Sequence, residues 1–232
     1  MRVAIIPARG GSKRIPHKNI RDFCGKPMLA WSILAAQESG CIDRVIVSTD
    51  DPAIADVARQ YGAHVPFMRS ASLADDYTGT TPVVQDAVRW LVTHGEAVAE
   101  TCCLYATAPF VTGEYLRQGL ELLQTSKAEY AFSVTTYAFP IERALRLTAT
   151  RRIAMRHPEH AETRSQDLEE AYHDAGQFYW GTRDAWLEAK AIFADHSVPV
   201  ILPRYRVQDI DTLEDWERAV YMFEALRRQR KD

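Results

Sequence analysis

The chain has 232 residues, a formal net charge of −3, and an ordinary content of 47% hydrophobic and 25% charged residues. This balance argues against a general nucleic-acid binder, because no excess of Lys and Arg is available to neutralise a phosphate backbone. No apolar run approaches the roughly 20 residues that span a bilayer, and the N-terminus lacks the order of a signal peptide. We therefore expect a soluble, cytoplasmic protein with one domain over residues 1–232 and no membrane partner.

Four cysteines have neither zinc-site nor redox spacing, so reduced thiols are expected.

Apolar segments alternate with helical patterns through the first part of the chain. Strands are predicted at residues 3–6, 44–50, 102–105 and 130–135, with a short extended piece at 65–67. Helices are predicted at 27–39, 52–61, 80–91 and 115–124, the third with Thr80 or Thr81 as N-cap. This order predicts an α/β protein with a mostly parallel sheet and helices on both faces. In such sheets ligands bind at the carboxyl ends of the strands.

The segment 140–175 breaks the alternation. It is polar and rich in Arg, His and Glu, and residues 145–147 and 152–155 predict a hairpin within it. We interpret it as an excursion from the sheet that carries substrate loops or a dimer arm. After it, strands are predicted at 177–180 and 198–202, and a terminal helix at 213–228.

A basic, glycine-containing loop follows the first predicted strand. Gly10 and Gly11 allow backbone N–H groups to approach an anion closely. Positive charge in the same loop comes from Arg9, Lys13, Arg14 and Lys18. Neither a P-loop nor a dinucleotide fingerprint is present. A solvated basic turn is the alternative, but the position after the first strand favours a triphosphate site.

Two acidic residues lie before the terminal helix. Residues 204–212 are interpreted as the end of a strand, on which Asp209 and Asp211 share one face. Two such carboxylates suit Mg²⁺ (or Mn²⁺), which completes its octahedron with water and phosphate oxygens. The alternative is structural, since Asp211 or Thr212 could cap the terminal helix.

Residues 6–13, together with Pro16, Lys18 and Asn19, resemble the N-terminal signature of the CMP-sugar synthetases, the acylneuraminate cytidylyltransferases. The resemblance implies a Rossmann-like nucleotide-diphospho-sugar transferase fold, CTP as co-substrate and a homodimer. It also implies that Asp209 and Asp211 bind Mg²⁺. The catalytic residues that it implies are these two acids together with Arg9 and Lys18. The nucleotide contacts that it implies are Ala8, Arg9, Gly10, Gly11, Ser12, Lys13, Lys18 and Asn19, with Arg69 and Thr80 from a looser match over 69–81.

Segments 105–110, 163–180 and 203–206 resemble most closely the branch of this family that acts on pseudaminic acid, an acidic nine-carbon sugar. Sialic acid relatives carry Gln-Pro-Thr-Ser-Pro where this chain begins with Tyr105. Arg164 is the candidate for the sugar carboxylate, because guanidinium binds carboxylate bidentately. Hydrogen bonds to the sugar are predicted from Gln166, Tyr172, His173, Asp174 and Gln177, although a structural role for His173 is equally open. Tyr105 is also counted among the substrate-binding residues.

Three alternatives remain open at this stage. The first is the same chemistry on N-acetylneuraminic, legionaminic or 3-deoxy-manno-octulosonic acid. The second is a catalytically silent nucleotide-binding partner protein, and the third is a sugar-1-phosphate nucleotidyltransferase. By resemblance, the product would feed a bacterial surface glycan or glycosylated flagellin.

Overall fold

A computed structural model describes residues 1–229 of the chain. Its strands are β1 (Arg2–Pro7), β2 (Asp22–Phe23), β3 (Lys26–Pro27), β4 (Arg44–Ser48), β5 (Glu100–Leu104), β6 (Tyr130–Thr136), β7 (Leu145–Leu147), β8 (Ile153–Met155), β9 (Tyr172–Thr182) and β10 (Ser197–Ile201). Its α-helices are α1 (Met28–Glu38), α2 (Pro52–Gln60), α3 (Thr80–Thr93), α4 (Gly113–Ser126), α5 (Arg183–Leu187) and α6 (Leu213–Gln229).

Six of the strands form the central sheet, in the order β10-β6-β9-β5-β1-β4. β1 pairs in parallel with β4 and β5, and β10 pairs in parallel with β6. β9 runs antiparallel to both β5 and β6. The predicted mostly parallel sheet is therefore confirmed. Because β9 runs in reverse, its first residues lie at the edge where the parallel strands end.

Alternate residues of the strands pack on opposite faces of the sheet. Ala4 and Ile6 of β1 belong to a core cluster that includes α1, α2 and α4, whereas Val3 and Ile5 pack with α3 and α5. The predicted cover of helices on both faces is thus present. A third cluster joins α6 to the loop after β1, with Ile15 fully buried in it.

The segment between β6 and β9 leaves the sheet, as predicted. β7 and β8 form the expected hairpin, with Leu145 opposite Met155. β9 begins at Tyr172, so the last four residues of the predicted excursion belong to the sheet. The reason is that the pairing with β6 continues up to Thr136 opposite Tyr172.

Three details differ from the sequence prediction. α3 begins at Thr80 with Gly79 as its N-cap residue, so neither Thr80 nor Thr81 caps it. Residues 65–67 form no strand, and only a bridge between Ile46 and His64 occurs nearby. Residues 207–212 are irregular rather than extended in a sheet, because Pro203 has no N–H with which to continue β10.

All four cysteines are free thiols, as the sequence predicted. Burial raises the pKa of the Cys102 and Cys103 thiols in β5. Within residues 1–229, no helix has both the length and the apolar character to cross a bilayer.

We expect Gly119→Ala to destabilise the fold, because a Cβ at this position in α4 would lie 2.8 Å from Cδ1 of Trp180 and 2.9 Å from Cε2 of Phe178. Overpacking of this kind costs about 1–3 kcal/mol, against which the helix propensity of Ala returns up to about 1 kcal/mol. Urea denaturation measures the change. Gln118→Ala, on the exposed side of the same helix, is the control and should stay within about 0.5 kcal/mol of wild type. Equal stabilities of the two variants would contradict this packing.

Candidate active site

The candidate site lies at the edge of the sheet where β1, β4 and β5 end. A cavity of about 450 Å³ opens there between the loops that follow these strands and the start of α3. It is lined by Pro7, Arg9, Ser12, Lys13, Arg14, Lys18, Asn19, Asp76, Thr80, Tyr105, Ala106 and Thr107. Most of the side chains predicted to contact the nucleotide are therefore brought together in one place.

The basic loop is held against the end of β4 by backbone and side-chain hydrogen bonds. The N–H of Ala8 donates to the carbonyl of Ser48 at 2.9 Å, and that of Gly10 donates to Oδ1 of Asp50 at 3.0 Å. A Cβ at Gly10 would lie 2.6 Å from Oδ2 of Asp51, so the close approach requires glycine. Gly11 has open space around its Cα, which leaves its backbone accessible.

Asn19 has a structural contact that the sequence did not indicate. It is buried, and its Nδ2 donates to the carbonyl of Arg9 at 3.0 Å. This bond holds the start of the loop against its end. Asn19 therefore fixes the position from which the Arg9 guanidinium reaches the cavity.

Lys18 connects the loop to the acidic segment near the other end of the chain. Its Nζ donates to the carbonyl of Ile210 at 2.6 Å and lies 3.5 Å from Oδ1 of Asp211. Nη1 of Arg14 lies 3.0 Å from Oδ2 of the same carboxylate. Lys18 and Asp211, which were both assigned to the catalytic set, thus lie close together, and Asp211 is shared between two cations.

Asp209 and Asp211 lie close together although the predicted strand is absent. Partial burial of the carboxyl and then the charge of Asp211 raise the pKa of Asp209, while Lys18 opposes the rise. Asp209 forms no ion pair among residues 1–229. Its carboxylate is therefore a poorly compensated negative charge, which a divalent cation would relieve.

The two carboxylates fit a cation that also binds the nucleotide. No cluster of three or more His, Cys, Asp or Glu side chains suited to a metal occurs in the described part of the chain. Mg²⁺ needs only one or two protein carboxylates when phosphate oxygens and water supply its other ligands. The alternative role predicted for this segment was to cap α6. Thr212 has that role, because its hydroxyl accepts a hydrogen bond from the N–H of Asp215 at 3.2 Å.

Arg69 lies beneath the cavity rather than in its wall. Its side chain is buried and donates from Nε to Oγ of Ser48 at 3.1 Å, and from Nη2 to the Ser48 carbonyl. Burial lowers the pKa of Arg69 to about 10. Its observed contacts hold the end of β4, and its contact with a nucleotide stays a prediction.

A chain of hydroxyl groups runs from the cavity to β9. Thr80 Oγ1 lies 3.1 Å from the Tyr105 hydroxyl, the ring centroids of Tyr105 and Tyr179 are 5.5 Å apart, and Tyr179 donates to Oδ2 of Asp174 at 2.6 Å. Burial raises the pKa of both phenols, so both keep their protons. Since a carboxylate only accepts, Tyr179 is the donor to Asp174. The Thr80 hydroxyl lines the cavity, and either oxygen of its contact with Tyr105 can be the donor.

Most of the predicted sugar-binding residues lie outside this cavity. Arg164 is exposed and binds Asp167 bidentately, at 2.8 and 3.2 Å. Tyr172 donates to Oε2 of Glu170 at 2.7 Å, and Gln166 lines a separate cavity of about 240 Å³ in the excursion. Of the predicted sugar contacts, only Tyr105 lines the 450 Å³ cavity.

His173 and Gln177 both make contacts within the protein. Nδ1 of His173 lies 2.8 Å from the carbonyl of Asp174, which agrees with the structural alternative for this residue. Gln177 is buried and donates from Nε2 to the carbonyl of Arg206 at 2.5 Å. Its Oε1 has no partner among residues 1–229, so it keeps a free acceptor.

A second cavity of about 410 Å³ lies between α1, α6 and the loop after β5. Its walls include Trp31, Phe110 and Phe223, and none of the predicted site residues. Its walls also carry Lys26, Arg206 and Arg227, but no residue of the basic loop after β1 lines it, so the nucleotide site is assigned to the first cavity.

Sequence reasoning missed Asp76, Tyr179 and Asp50 as members of the site. Asp76 contacts two of the predicted phosphate ligands, Arg9 and Lys13. A pair of acids in a polar loop has the pattern of a solvated turn, so no local signal marks Asp76. Tyr179 was assigned to a strand, and only the antiparallel direction of β9 turns its hydroxyl towards Tyr105.

Comparison with known proteins gives a consistent result. A family model described as "Cytidylyltransferase" matches residues 3–230. Pseudaminic acid cytidylyltransferase of Campylobacter jejuni subsp. jejuni serotype O:2 is 46% identical over 223 residues, which are 96% of each chain. The CMP-N,N'-diacetyllegionaminic acid synthase of Legionella pneumophila is 35% identical over 222 residues, 92% of each chain.

The fold also matches solved structures. CMP:2-keto-3-deoxy-manno-octonic acid synthetase, complexed with CTP, superposes with a TM-score of 0.69 at 17% identity, over 97% of this chain and 98% of that one. At that identity the likeness shows the fold alone. Together with the sequence matches it establishes that the chain belongs to the cytidylyltransferase family.

Proposed function

We propose that this chain transfers CMP from CTP to the anomeric 2-hydroxyl of pseudaminic acid and releases pyrophosphate. The observation that carries the proposal is the contact of Lys18, which lines the cavity with other residues of the basic loop, with Ile210 and Asp211 of the acidic segment. The relatives support the choice of nucleotide and sugar, because the C. jejuni protein named for this activity is 46% identical over nearly the whole chain.

The reaction needs no covalent enzyme intermediate. The sugar hydroxyl attacks the α-phosphorus in line, the new P–O bond forms as the bond to pyrophosphate breaks, and the hydroxyl proton leaves. Negative charge grows on the non-bridging oxygens, where fixed cations stabilise it better than mobile water does. Lys18 is held beside Ile210 and Asp211, and Arg9 projects from the loop into the same cavity. These two side chains are proposed to act on the α-phosphate and the triphosphate.

Asp209 and Asp211 are proposed to hold Mg²⁺ (or Mn²⁺). When bound, the ion would supply positive charge to the phosphate oxygens and bridge the nucleotide to the protein. Thr80 lines the cavity and is proposed to contact the cytosine and ribose side of CTP.

The sugar contacts remain a proposal from family resemblance. Arg164 would have to leave Asp167 in order to bind the sugar carboxylate, and Gln177 Oε1 is a free acceptor for a hydroxyl or amide N–H. A cytoplasmic location and a role in glycan or flagellin glycosylation stay predictions of the same kind.

Pyrophosphate release from CTP and Mg²⁺ tests the proposal directly, with four sugar acids supplied in parallel. We expect kcat/KM for pseudaminic acid to exceed that for N-acetylneuraminic, legionaminic and 3-deoxy-manno-octulosonic acid by roughly 100-fold, because hydroxyl and amide contacts discriminate strongly. Release with another acid alone would keep CMP transfer and overturn the sugar. Release with none of them, nor with a sugar 1-phosphate, would favour a silent nucleotide-binding protein.

We expect Asp209→Asn to lower turnover by about 100- to 1,000-fold, the loss seen when one group that stabilises transition-state charge is removed. The half-saturating Mg²⁺ concentration should rise as well. Asp209 gives a clearer test of the metal site than Asp211, because Asp211 also pairs with Arg14 and Lys18. Glu214→Gln, an exposed acid at the start of α6, is the charge-matched control. Unchanged turnover and Mg²⁺ dependence in Asp209→Asn would show that the metal assignment is wrong.

We further propose a homodimer in which the excursion between β6 and β9 is the arm that contacts the partner. Support comes from apolar side chains that the excursion leaves in solvent. Leu145, Leu147 and Ile153 of the hairpin are 56%, 64% and 64% exposed, and Phe139 is 80% exposed. A contiguous exposed apolar surface of this kind is typical of an interface.

We expect light scattering to give wild-type protein twice the 26.3 kDa chain mass. Leu147→Asp should shift the mass towards that of one chain, because a buried unpaired carboxylate is costly at an interface. Tyr221→Asp, at a 70% exposed site on α6, is the control and should stay dimeric. A wild-type mass of one chain would refute the dimer. A dimeric Leu147→Asp would place the interface elsewhere.

A further inference from the structure

Asp76 contacts both side chains that the proposed function assigns to the nucleotide phosphates. Its Oδ1 accepts from Nη1 of Arg9 at 2.6 Å, and its Oδ2 accepts from Nζ of Lys13. The same Arg9 nitrogen also donates to the carbonyl of Asp75 at 3.0 Å. The Asp76 carboxylate thus pairs with two cationic side chains at the wall of the cavity, as a phosphate group would.

The loop around Asp76 is held by its neighbour. Oδ1 of Asp75 accepts the N–H groups of Tyr77 and Thr78 at 2.9 and 2.6 Å, which fixes the turn before α3. Asp76 makes no hydrogen bond to this turn, and its side-chain partners among residues 1–229 are Arg9 and Lys13. Removing its charge therefore leaves the turn intact. Hydrogen bonds from Lys13 and Arg9 lower the pKa of Asp76, so it is ionised at neutral pH.

We infer that Asp76 takes the place of a phosphate on Arg9 and Lys13 and weakens the binding of every anion that must displace it, so that small anions do not occupy the nucleotide site. This inference rests on the proposed function, since that assigns the two cations to phosphate. Because Asp76 is part of the chain, its carboxylate competes for Arg9 and Lys13 at a high effective concentration. A free ligand must therefore make additional contacts elsewhere in order to displace it. A nucleoside triphosphate has further phosphates and a nucleoside with which to contact the loop backbone and Lys18, whereas inorganic phosphate has neither.

The same competition acts on the product side. Once the α-phosphorus has been transferred, pyrophosphate retains its contacts with Arg9 and Lys13 but loses its bond to the nucleoside. Asp76 can then re-form its pairs with the two cations and displace pyrophosphate. The residue therefore weakens binding of the product pyrophosphate as well as that of free phosphate.

Calorimetric titration of Asp76→Asn tests the inference with three probes: CTP with Mg²⁺, pyrophosphate, and inorganic phosphate. We expect pyrophosphate to bind roughly tenfold more tightly than to wild type, within the usual range for the energetic coupling of two competing groups. Inorganic phosphate should become a measurable inhibitor of turnover, and the KM for CTP should fall. Asp56→Asn, an exposed acid on α2 that pairs with Arg59, has the same charge change and should behave as wild type.

Asp76→Ala serves as a second variant, and circular dichroism verifies that both fold. Pyrophosphate and phosphate affinities within twofold of wild type, or weaker, in a folded variant that still binds CTP would overturn the inference alone. Wild-type protein that neither binds CTP nor releases pyrophosphate with any sugar acid would instead overturn the proposed function. The two failures are thus distinguishable.

Discussion

The ammonium group of Lys18 joins the two ends of the chain at the edge of the sheet, and the site depends on this contact. Its hydrogen bond of 2.6 Å to the carbonyl of Ile210 fixes an acidic segment beside a basic loop from nearly 200 residues away. Packing supports the bond, because Ile15 in the loop and Ile210 are both fully buried in one cluster with Trp216 of α6. Without this junction the acidic segment would not lie beside the basic loop that lines the cavity.

Charge pairing within the cavity follows a simple pattern. Arg9 and Lys13 share Asp76, while Arg14 and Lys18 share Asp211. Each pair of cations therefore already has a carboxylate, whereas Asp209 has no ion pair among residues 1–229. Under the proposed function, the phosphates of a metal–nucleotide complex would replace Asp76, and its cation would offset Asp209 and Asp211. An anion without a metal would pair only with the basic side chains, and a cation without a nucleotide would pair only with the carboxylates.

The sequence predicted the parts of the molecule that local patterns determine. The apolar run of β1 and the adjacent glycines after it specify a strand followed by a tight loop, and the hairpin at β7 and β8 was visible in the same way. The strand before Asp209 was predicted wrongly, because β10 ends at Ile201 and Pro203 then has no N–H to donate to the ladder. The antiparallel direction of β9 depends on pairing with β5 and β6, which are distant in sequence, and no local pattern reports it. Asp76 was missed for the same reason, since Arg9 and Lys13 are more than 60 residues away. The pair between Arg164 and Asp167 is local, at i and i+3, and was overlooked.

Binding of Mn²⁺, followed by electron paramagnetic resonance, tests most directly whether the metal and the triphosphate bind as one unit between the basic loop and the acids. The protein alone offers two carboxylates, one of them already paired with Arg14 and Lys18. We therefore expect weak Mn²⁺ binding without CTP and binding at least roughly tenfold tighter with CTP present, as for two ligands with a favourable coupling. Equal Mn²⁺ affinity with and without CTP would contradict it, because the cation would then have a site that is independent of the nucleotide.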